Sequence, residues 1–242
     1  MQLTVIIPTY NEAENLPKLV SVLFALPVQG LKILVVDDNS PDGTGELAEE
    51  LVRASAGRMA VLHRAGKLGL GSAYIQGFRS ALEAGAEAIG QMDADFSHPP
   101  EKIPVILEAL NTCDIAIGSR YVPGGSVDVD WPAWRKGLSA FANFYARTIL
   151  SMPLRDVTGG FRFYRREALG AMPLDCIRTN GYAFQVETAY VAYLLGFTFK
   201  EIPIYFADRR WGTSKMSFSI QREAARRVWQ MLYEHRRLKR KG

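Results

Sequence analysis

Cysteine and histidine are scarce in this chain of 242 residues, and each scarcity removes a class of function. The two cysteines, Cys113 and Cys176, stand far apart and in no C-x-x-C spacing. That excludes a disulfide scaffold and a zinc or redox motif, and it reads as two thiols of a reducing compartment. His63, His98 and His235 show no H-x-x-x-H spacing, which excludes a histidine-built metal centre. No charge-free apolar run approaches the ~20 residues that span a bilayer, and the longest, around 19–31 and 188–199, read as core elements. The opening Met1-Gln2-Leu3-Thr4-Val5-Ile6-Ile7 is strand-like and too short for a secretory leader. Internal repeats, low-complexity tracts, a convincing linker, and helix-turn-helix, RRM or zinc-finger signatures are also missing. A nucleic-acid-binding module, which the net charge of +4 would otherwise suggest, therefore has no motif to support it.

What is present is an alternating pattern. Nearly half of the residues are hydrophobic, enough for a sizeable core. Short apolar runs at 3–8, 31–36, 59–62, 88–92 and 115–117 predict strands. Helical periodicity at 13–25, 43–54, 72–84 and 100–110 lies between them. Such alternation predicts an α/β fold with a mostly parallel sheet covered by helices, and ligands at the carboxyl ends of the strands. Beyond residue 118 the pattern loosens: a loop rich in Gly, Pro and Asp at 121–132, helices at 134–152 and 183–195, strands at 161–164 and 199–206, and a basic amphipathic helix at 217–240. One domain over 1–242 is expected, with halves of opposite charge. Residues 1–118 hold 8 Lys or Arg against 15 Asp or Glu, whereas residues 119–242 hold 21 against 10. The basic half is expected to meet an anionic partner.

Polar clusters follow the predicted strand ends: Tyr10-Asn11-Glu12, Asp37-Asp38-Asn39-Ser40, Asp93-Ala94-Asp95 and Ser119-Arg120. Two aspartates just past a buried strand suit a hard divalent cation, which takes one or two carboxylates and fills its other positions with water and phosphate oxygens. A tyrosine ring can stack on a nucleobase, and carboxylates accept from base or ribose donors, so these clusters together describe a nucleotide site. Turn and cap chemistry is the competing reading for Asn39, Ser40 and Asp42. A second D-x-D, Asp128-Val129-Asp130, reads as a solvated acidic turn. Gly66-Lys67-Leu68-Gly69-Leu70-Gly71 matches neither a Walker A loop nor a dinucleotide fingerprint, and is given a supporting role in loop closure. Trp134, Arg135 and Lys136 head an amphipathic helix whose cations suit an incoming lipid phosphate.

Three stretches carry a resemblance to the family 2 glycosyltransferases of GT-A fold: Val5-Ile6-Ile7-Pro8-Thr9-Tyr10-Asn11-Glu12, Val35-Val36-Asp37-Asp38-Asn39-Ser40-Pro41-Asp42-Gly43-Thr44 and Met92-Asp93-Ala94-Asp95-Phe96-Ser97-His98-Pro99. Within that family, Gly118-Ser119-Arg120-Tyr121, Asp156-Val157-Thr158-Gly159-Gly160-Phe161-Arg162 and Asp208-Arg209-Arg210-Trp211-Gly212-Thr213-Ser214-Lys215 resemble the dolichol- or polyprenol-phosphate mannose synthases. The resemblance implies that Pro8, Tyr10, Glu12, Val36, Asp38, Asp93 and Ala94 hold the nucleoside. It implies that Asp95 binds Mg²⁺ or Mn²⁺, with Ser97 where some members carry a glutamine ligand, and that Arg120, Arg209 and Lys215 surround the diphosphates. Arg135 and Lys136 are the expected contacts of the acceptor phosphate.

The implied reaction is an inverting transfer of mannose from GDP-mannose to a polyprenyl (dolichyl) phosphate, the alternative being glucose from UDP-glucose. An acceptor phosphate is largely ionised at neutral pH, so no general base is expected. The expected setting is the cytoplasmic face of a membrane. There the protein would act peripherally on an anionic surface, with a separate anchoring partner possible and no nucleic acid involved.

Overall fold

The computed structural model describes residues 1–208 and 218–238. Along the chain run β1 (Leu3–Thr9), α1 (Leu16–Phe24), β2 (Lys32–Asp37), α2 (Thr44–Ala54), β3 (Met59–His63), α3 (Leu70–Glu83), β4 (Ala88–Gln91), α4 (Ile103–Ala109) and β5 (Ile115–Ser119). Then come β6 (Ser126–Val127), α5 (Ala133–Ile149), β7 (Arg162–Arg165), α6 (Arg166–Ala171), α7 (Tyr182–Leu194), β8 (Phe199–Pro203), β9 (Tyr205–Phe206) and α8 (Phe218–Glu234).

The main sheet has the order β3-β2-β1-β4-β7-β5-β8. Among the described residues it is parallel except for β7, which runs antiparallel between β4 and β5. The α/β expectation holds, because continuous apolar strands must be covered on both faces. Side chains alternate accordingly. Ile6, Leu34 and Val36 join α3, α6, α7 and α8 in one core, and Val5, Ile7, Ile33 and Val35 join α1 and α4 in the other.

The inserted strand β7 fits because its neighbours lack side chains where its aromatics lie. A Cβ on Gly90 would come within 2.5 Å of the Phe163 ring, and one on Gly118 within 2.6 Å of Phe161. The strand expected over 199–206 is broken: β8 ends at Pro203, and β9 pairs with β6 as a separate two-stranded ribbon. That ribbon ties the 121–132 loop to the end of β8.

Helix α5 buries little of itself, with only Asn143 and Ala146 fully inside. Trp134, Phe141 and Phe144 are more than half exposed, whereas Tyr145 is half-buried. The aromatics of α5 thus divide, Tyr145 packing inward and Phe141 facing out. Tyr145 also joins α5 to α8, its hydroxyl donating to the Ala225 carbonyl (3.3 Å) and accepting from Trp229 Nε1 (2.9 Å). Trp229 and Tyr233 of α8 are exposed as well. Among the described residues, no helix is long and apolar enough to cross a membrane.

Candidate active site

Strands β1, β2, β4 and β5 run parallel, so the segments leaving their carboxyl ends meet along one edge of the sheet. At three of these exits a residue other than glycine takes a positive φ: Asn11 (62°), Asn39 (56°) and Phe96 (61°). Asn tolerates that region, but for a bulky Phe it is strained, and strain of this kind collects at functional sites.

Tyr10 and Glu12 leave β1 at this edge; Pro8 lies within β1, and Val36 of β2 is fully buried in the core against α3. The Tyr10 ring is part-exposed, and the Lys67 ammonium lies 3.7 Å from its centroid. Glu12 accepts from Asn15 Nδ2 (2.7 Å), and its own N–H donates to Thr44 Oγ1 (2.9 Å). Asp37 turns to its neighbours, accepting from the Thr9 hydroxyl and from Ser40 N and Oγ. Asp38 is buried. One oxygen accepts from Arg64 Nη1 (2.5 Å), and the other from the N–H groups of Leu68 (3.2 Å) and Gly69 (3.3 Å). Arg64 also donates to Ser72 Oγ and the Gly69 carbonyl. Asp38 is therefore the tether of the 66–71 loop. Sequence reading missed Arg64, a lone arginine just past β3.

The D-x-D segment follows β4. Asp93 accepts from the Tyr74 hydroxyl (2.8 Å), and its N–H donates to His98 Nδ1 (3.0 Å). Burial, and then the Asp93 charge, push the Tyr74 phenol well above its ordinary pKa, so it remains a donor. His98 is buried and stacks on Phe161. Ala94 is buried beside them. Asp95 is buried too, one oxygen accepting from Ser97 N (3.0 Å) and Ser97 Oγ (2.6 Å). A strand-end carboxylate so oriented, with a second two residues away, is a hard oxygen donor set of the kind that Mg²⁺ or Mn²⁺ completes with phosphate oxygens. The residues present fit such an ion, and Ser97 is placed to aim the carboxylate.

Arg120 leaves β5. Its Nε and Nη2 each lie 2.8 Å from the fully buried Asp156 carboxylate, and Nη2 also donates to Thr158 Oγ1 (2.7 Å). Arg135 donates to Asp208, with its guanidinium 3.7 Å from the Trp131 ring centroid, and Lys136 donates to the Val129 carbonyl. The Asp128 turn accepts from Asp130 N and Asp208 N, binding the loop to the ribbon. Arg209 and Lys215 lie outside the described residues. Away from this edge, Glu187, Glu234 and His235 come close enough together to suggest a cation. There the Glu187 carboxylate is already engaged, by His235 Nε2 on one oxygen and by Thr179 and Arg178 on the other, so its hydrogen-bonding capacity is taken within the protein.

The sequence model described as "Glycosyl transferase family 2" matches residues 4–172. The chain is 49% identical over 226 residues to the polyprenol monophosphomannose synthase of Mycolicibacterium smegmatis, covering 93% of this chain and 84% of that one. It is 48% identical over 225 residues to the undecaprenyl-phosphate mannosyltransferase of Micrococcus luteus, covering 93% and 91%. Among solved structures, the glucosyl-3-phosphoglycerate synthase of Mycobacterium tuberculosis with Mn²⁺, uridine diphosphate and phosphoglyceric acid superposes with a TM-score of 0.65. That match covers 100% of this chain and 80% of that one at 16% identity, a likeness of fold alone.

Proposed function

The chain belongs to glycosyl transferase family 2, and from that membership we propose that it moves a mannosyl group from GDP-mannose to the phosphate of a polyprenyl phosphate, inverting the anomeric carbon. The observation that carries this reading is similarity across 93% of the chain, at close to half identity, to two proteins named for mannosyl transfer to such lipids. The GT-A architecture and the strand-edge carboxylates are consistent with it.

In this reading residues 1–118 receive the donor. Tyr10 offers a ring to the base, with Pro8, Glu12, Val36, Asp38 and Ala94 lining the nucleoside and the Asp38–Arg64 pair shaping the loop beside it. Asp95, with Asp93 next to it and Ser97 orienting it, would hold Mg²⁺ or Mn²⁺, which would offset charge on the departing diphosphate. Arg120, Arg209 and Lys215 stabilise the same charge from the protein side. The acceptor phosphate needs no base because it is already ionised.

Residues 119–216 receive the acceptor, whose phosphate would compete with Asp208 for Arg135 and draw Lys136 from the Val129 carbonyl. The exposed aromatic faces of α5 and α8, with the basic residues of 217–242, rest against an anionic leaflet at its cytoplasmic side. A separate anchoring protein is compatible with this arrangement.

The test is a radiolabelled transfer assay with a short polyprenyl phosphate and, in turn, GDP-mannose, UDP-glucose and UDP-N-acetylglucosamine. The expected result is a lipid-linked product from GDP-mannose. Product from UDP-glucose alone would replace mannose by glucose, and no product from any donor would overturn the reading.

A further inference from the structure

Arg120 is held at both ends by one carboxylate. Asp156 Oδ2 accepts from the Arg120 backbone N–H (3.0 Å) and from Nε (2.8 Å), while Oδ1 accepts from Nη2 (2.8 Å). Thr158 Oγ1 takes a further bond from Nη2. Main chain, side-chain stem and guanidinium plane are thus fixed to the same anchor, and the side chain has little freedom to rotate.

The anchor is itself built from four elements. Glu201 of β8 accepts from the N–H groups of Arg155 and Asp156, each at 2.8 Å. Asn143 of α5 accepts from Val157 N (2.8 Å). Arg162 of β7, fully buried, donates to the Val157 carbonyl (2.7 Å) and to the Gln185 carbonyl of α7. Asp156 also accepts from Gly159 N (2.9 Å). Burial pushes the Asp156 carboxyl upward, but the Arg120 charge and its hydrogen bonds outweigh that and hold it below the ordinary aspartate range. It is ionised throughout the neutral range.

A buried ion pair is weak evidence for stability, since apolar residues of similar volume often do as well or better. A bidentate, multiply braced pair at the carboxyl edge of the sheet has another use, which is to hold a cation where charge develops. We propose that Asp156 is the positioning residue that aims the Arg120 guanidinium at the leaving diphosphate, with Thr158 as its lateral support. This rests on the reading of Arg120 given above.

The experiment measures kcat, donor KM and thermal unfolding for Asp156→Asn and Thr158→Val, each in the parent and in an Arg120→Lys background, with a short-chain acceptor. Misplacing a catalytic group by about 1 Å costs on the order of 10²-fold. Asp156→Asn is expected to lower kcat by about that factor and Thr158→Val by less, with donor KM changing only a few-fold. Groups that act as a unit are non-additive, so both losses should largely vanish in the Arg120→Lys background. An equal loss in both backgrounds, or parental kcat in both single variants, would overturn the proposal. Should Asp156→Asn fail to fold, the near-isosteric Thr158→Val decides by the same comparison. Parental turnover by Arg120→Lys alone would instead sink the reading of Arg120, and the positioning role with it.

Discussion

The carboxylates at the carboxyl ends of β2 and β4 and the aromatic side chains of α5 and α8 are handled in opposite ways by the same chain. Asp37, Asp38 and Asp95 are all less than a tenth exposed, and each accepts from two or more donors. Trp134, Phe141, Phe144, Trp229 and Tyr233 are all more than half exposed. Burying a carboxylate is costly unless hydrogen bonds and charge offset it, so the first set marks a region organised before any ligand arrives. Leaving large aromatics in water forgoes about 1.5–3 kcal/mol of burial for each full-sized apolar side chain, so the second set marks a region whose apolar surface the described residues leave uncovered. One edge of the fold is finished internally, and one face is not.

The sharpest test of the finished edge is Asp95→Ala. If Asp95 holds the cation, turnover should fall by more than about 10³-fold, beyond the 10²–10³ usual for one lost stabilising donor. The melting temperature should change little, since no core packing is removed. Ser97→Ala, which removes only an orienting bond, should cost about 10–100-fold. Full activity of Asp95→Ala in excess chelator would remove the carboxylate from metal chemistry.

Next in size are Arg209→Ala and Lys215→Ala, which concern charge supplied from the basic half. Each should lower kcat by about 10²–10³-fold, with folding measured in parallel by circular dichroism. Parental rates in both, with unchanged metal dependence, would leave the diphosphate to Arg120 and the cation alone.

The unfinished face is tested by flotation with vesicles. Replacing Phe141, Phe144 and Trp229 by Ser should weaken binding by about tenfold for each aromatic that enters the interface, since 1.4 kcal/mol is a factor of ten. Neutralising Arg236 and Arg237 should remove roughly 1 kcal/mol each, and only with anionic lipid at low salt. Transfer to a soluble short-chain acceptor should survive these changes better than transfer to a long-chain one. Salt-insensitive binding to neutral vesicles, or unchanged binding by the Ser variants, would make the two faces alike.

The same contrast explains what could be read from the residues alone. Strands β1, β2, β4 and β5 announce themselves because burial on both faces demands uninterrupted apolar runs, whereas the edge strand β3 is partly exposed and gives a weaker run. The ends of all five differ from the expected ones by a residue or two. The break at Ile204, the two-residue β6 and the six-residue α6 left no periodic signal long enough to find. The D-x-D was legible because its aspartates sit two apart. The long-range pairs around the site were not, because Tyr74 reaches Asp93 of the D-x-D across 19 positions, while elsewhere at this edge Arg64 reaches Asp38 across 26 and Arg120 reaches Asp156 across 36. Local pattern is blind to contacts that only the sheet order creates. Exposure of Phe141 against burial of Tyr145 had to await the placement of α8, whose Ala225 carbonyl and Trp229 claim the tyrosine hydroxyl.

The smallest expected effect lies at the seam between α7 and α8, where the exposed face is held to the core. Glu187 is fully buried, and His235, just past the end of α8, lies 2.8 Å from it with its ring edge-on to Tyr190. Burial raises the Glu187 carboxyl, but the hydrogen bonds from His235 and Thr179 outweigh it and set the group below its ordinary value of 4.5. A carboxyl depressed by folding contributes stability that is complete above the unfolded value and is lost as pH falls through the folded one. The contribution should therefore be flat at neutral pH and decline from about pH 4.5 downward. Urea midpoints measured from pH 7 to pH 3 should fall more steeply for the parent than for Glu187→Gln, and the two curves should converge at the acid end. His235→Gln should reduce the slope partially, because Thr179 and Arg178 still donate to the second oxygen. Tyr145→Phe, which loosens α8 without touching a titrating group, should lower the whole curve and leave its slope alone. If Glu187→Gln keeps the parental slope, the acid response belongs to other carboxylates, Asp156 first among them, and the seam is held by packing of Val228 and Met231 and not by the hydrogen bonds to Glu187.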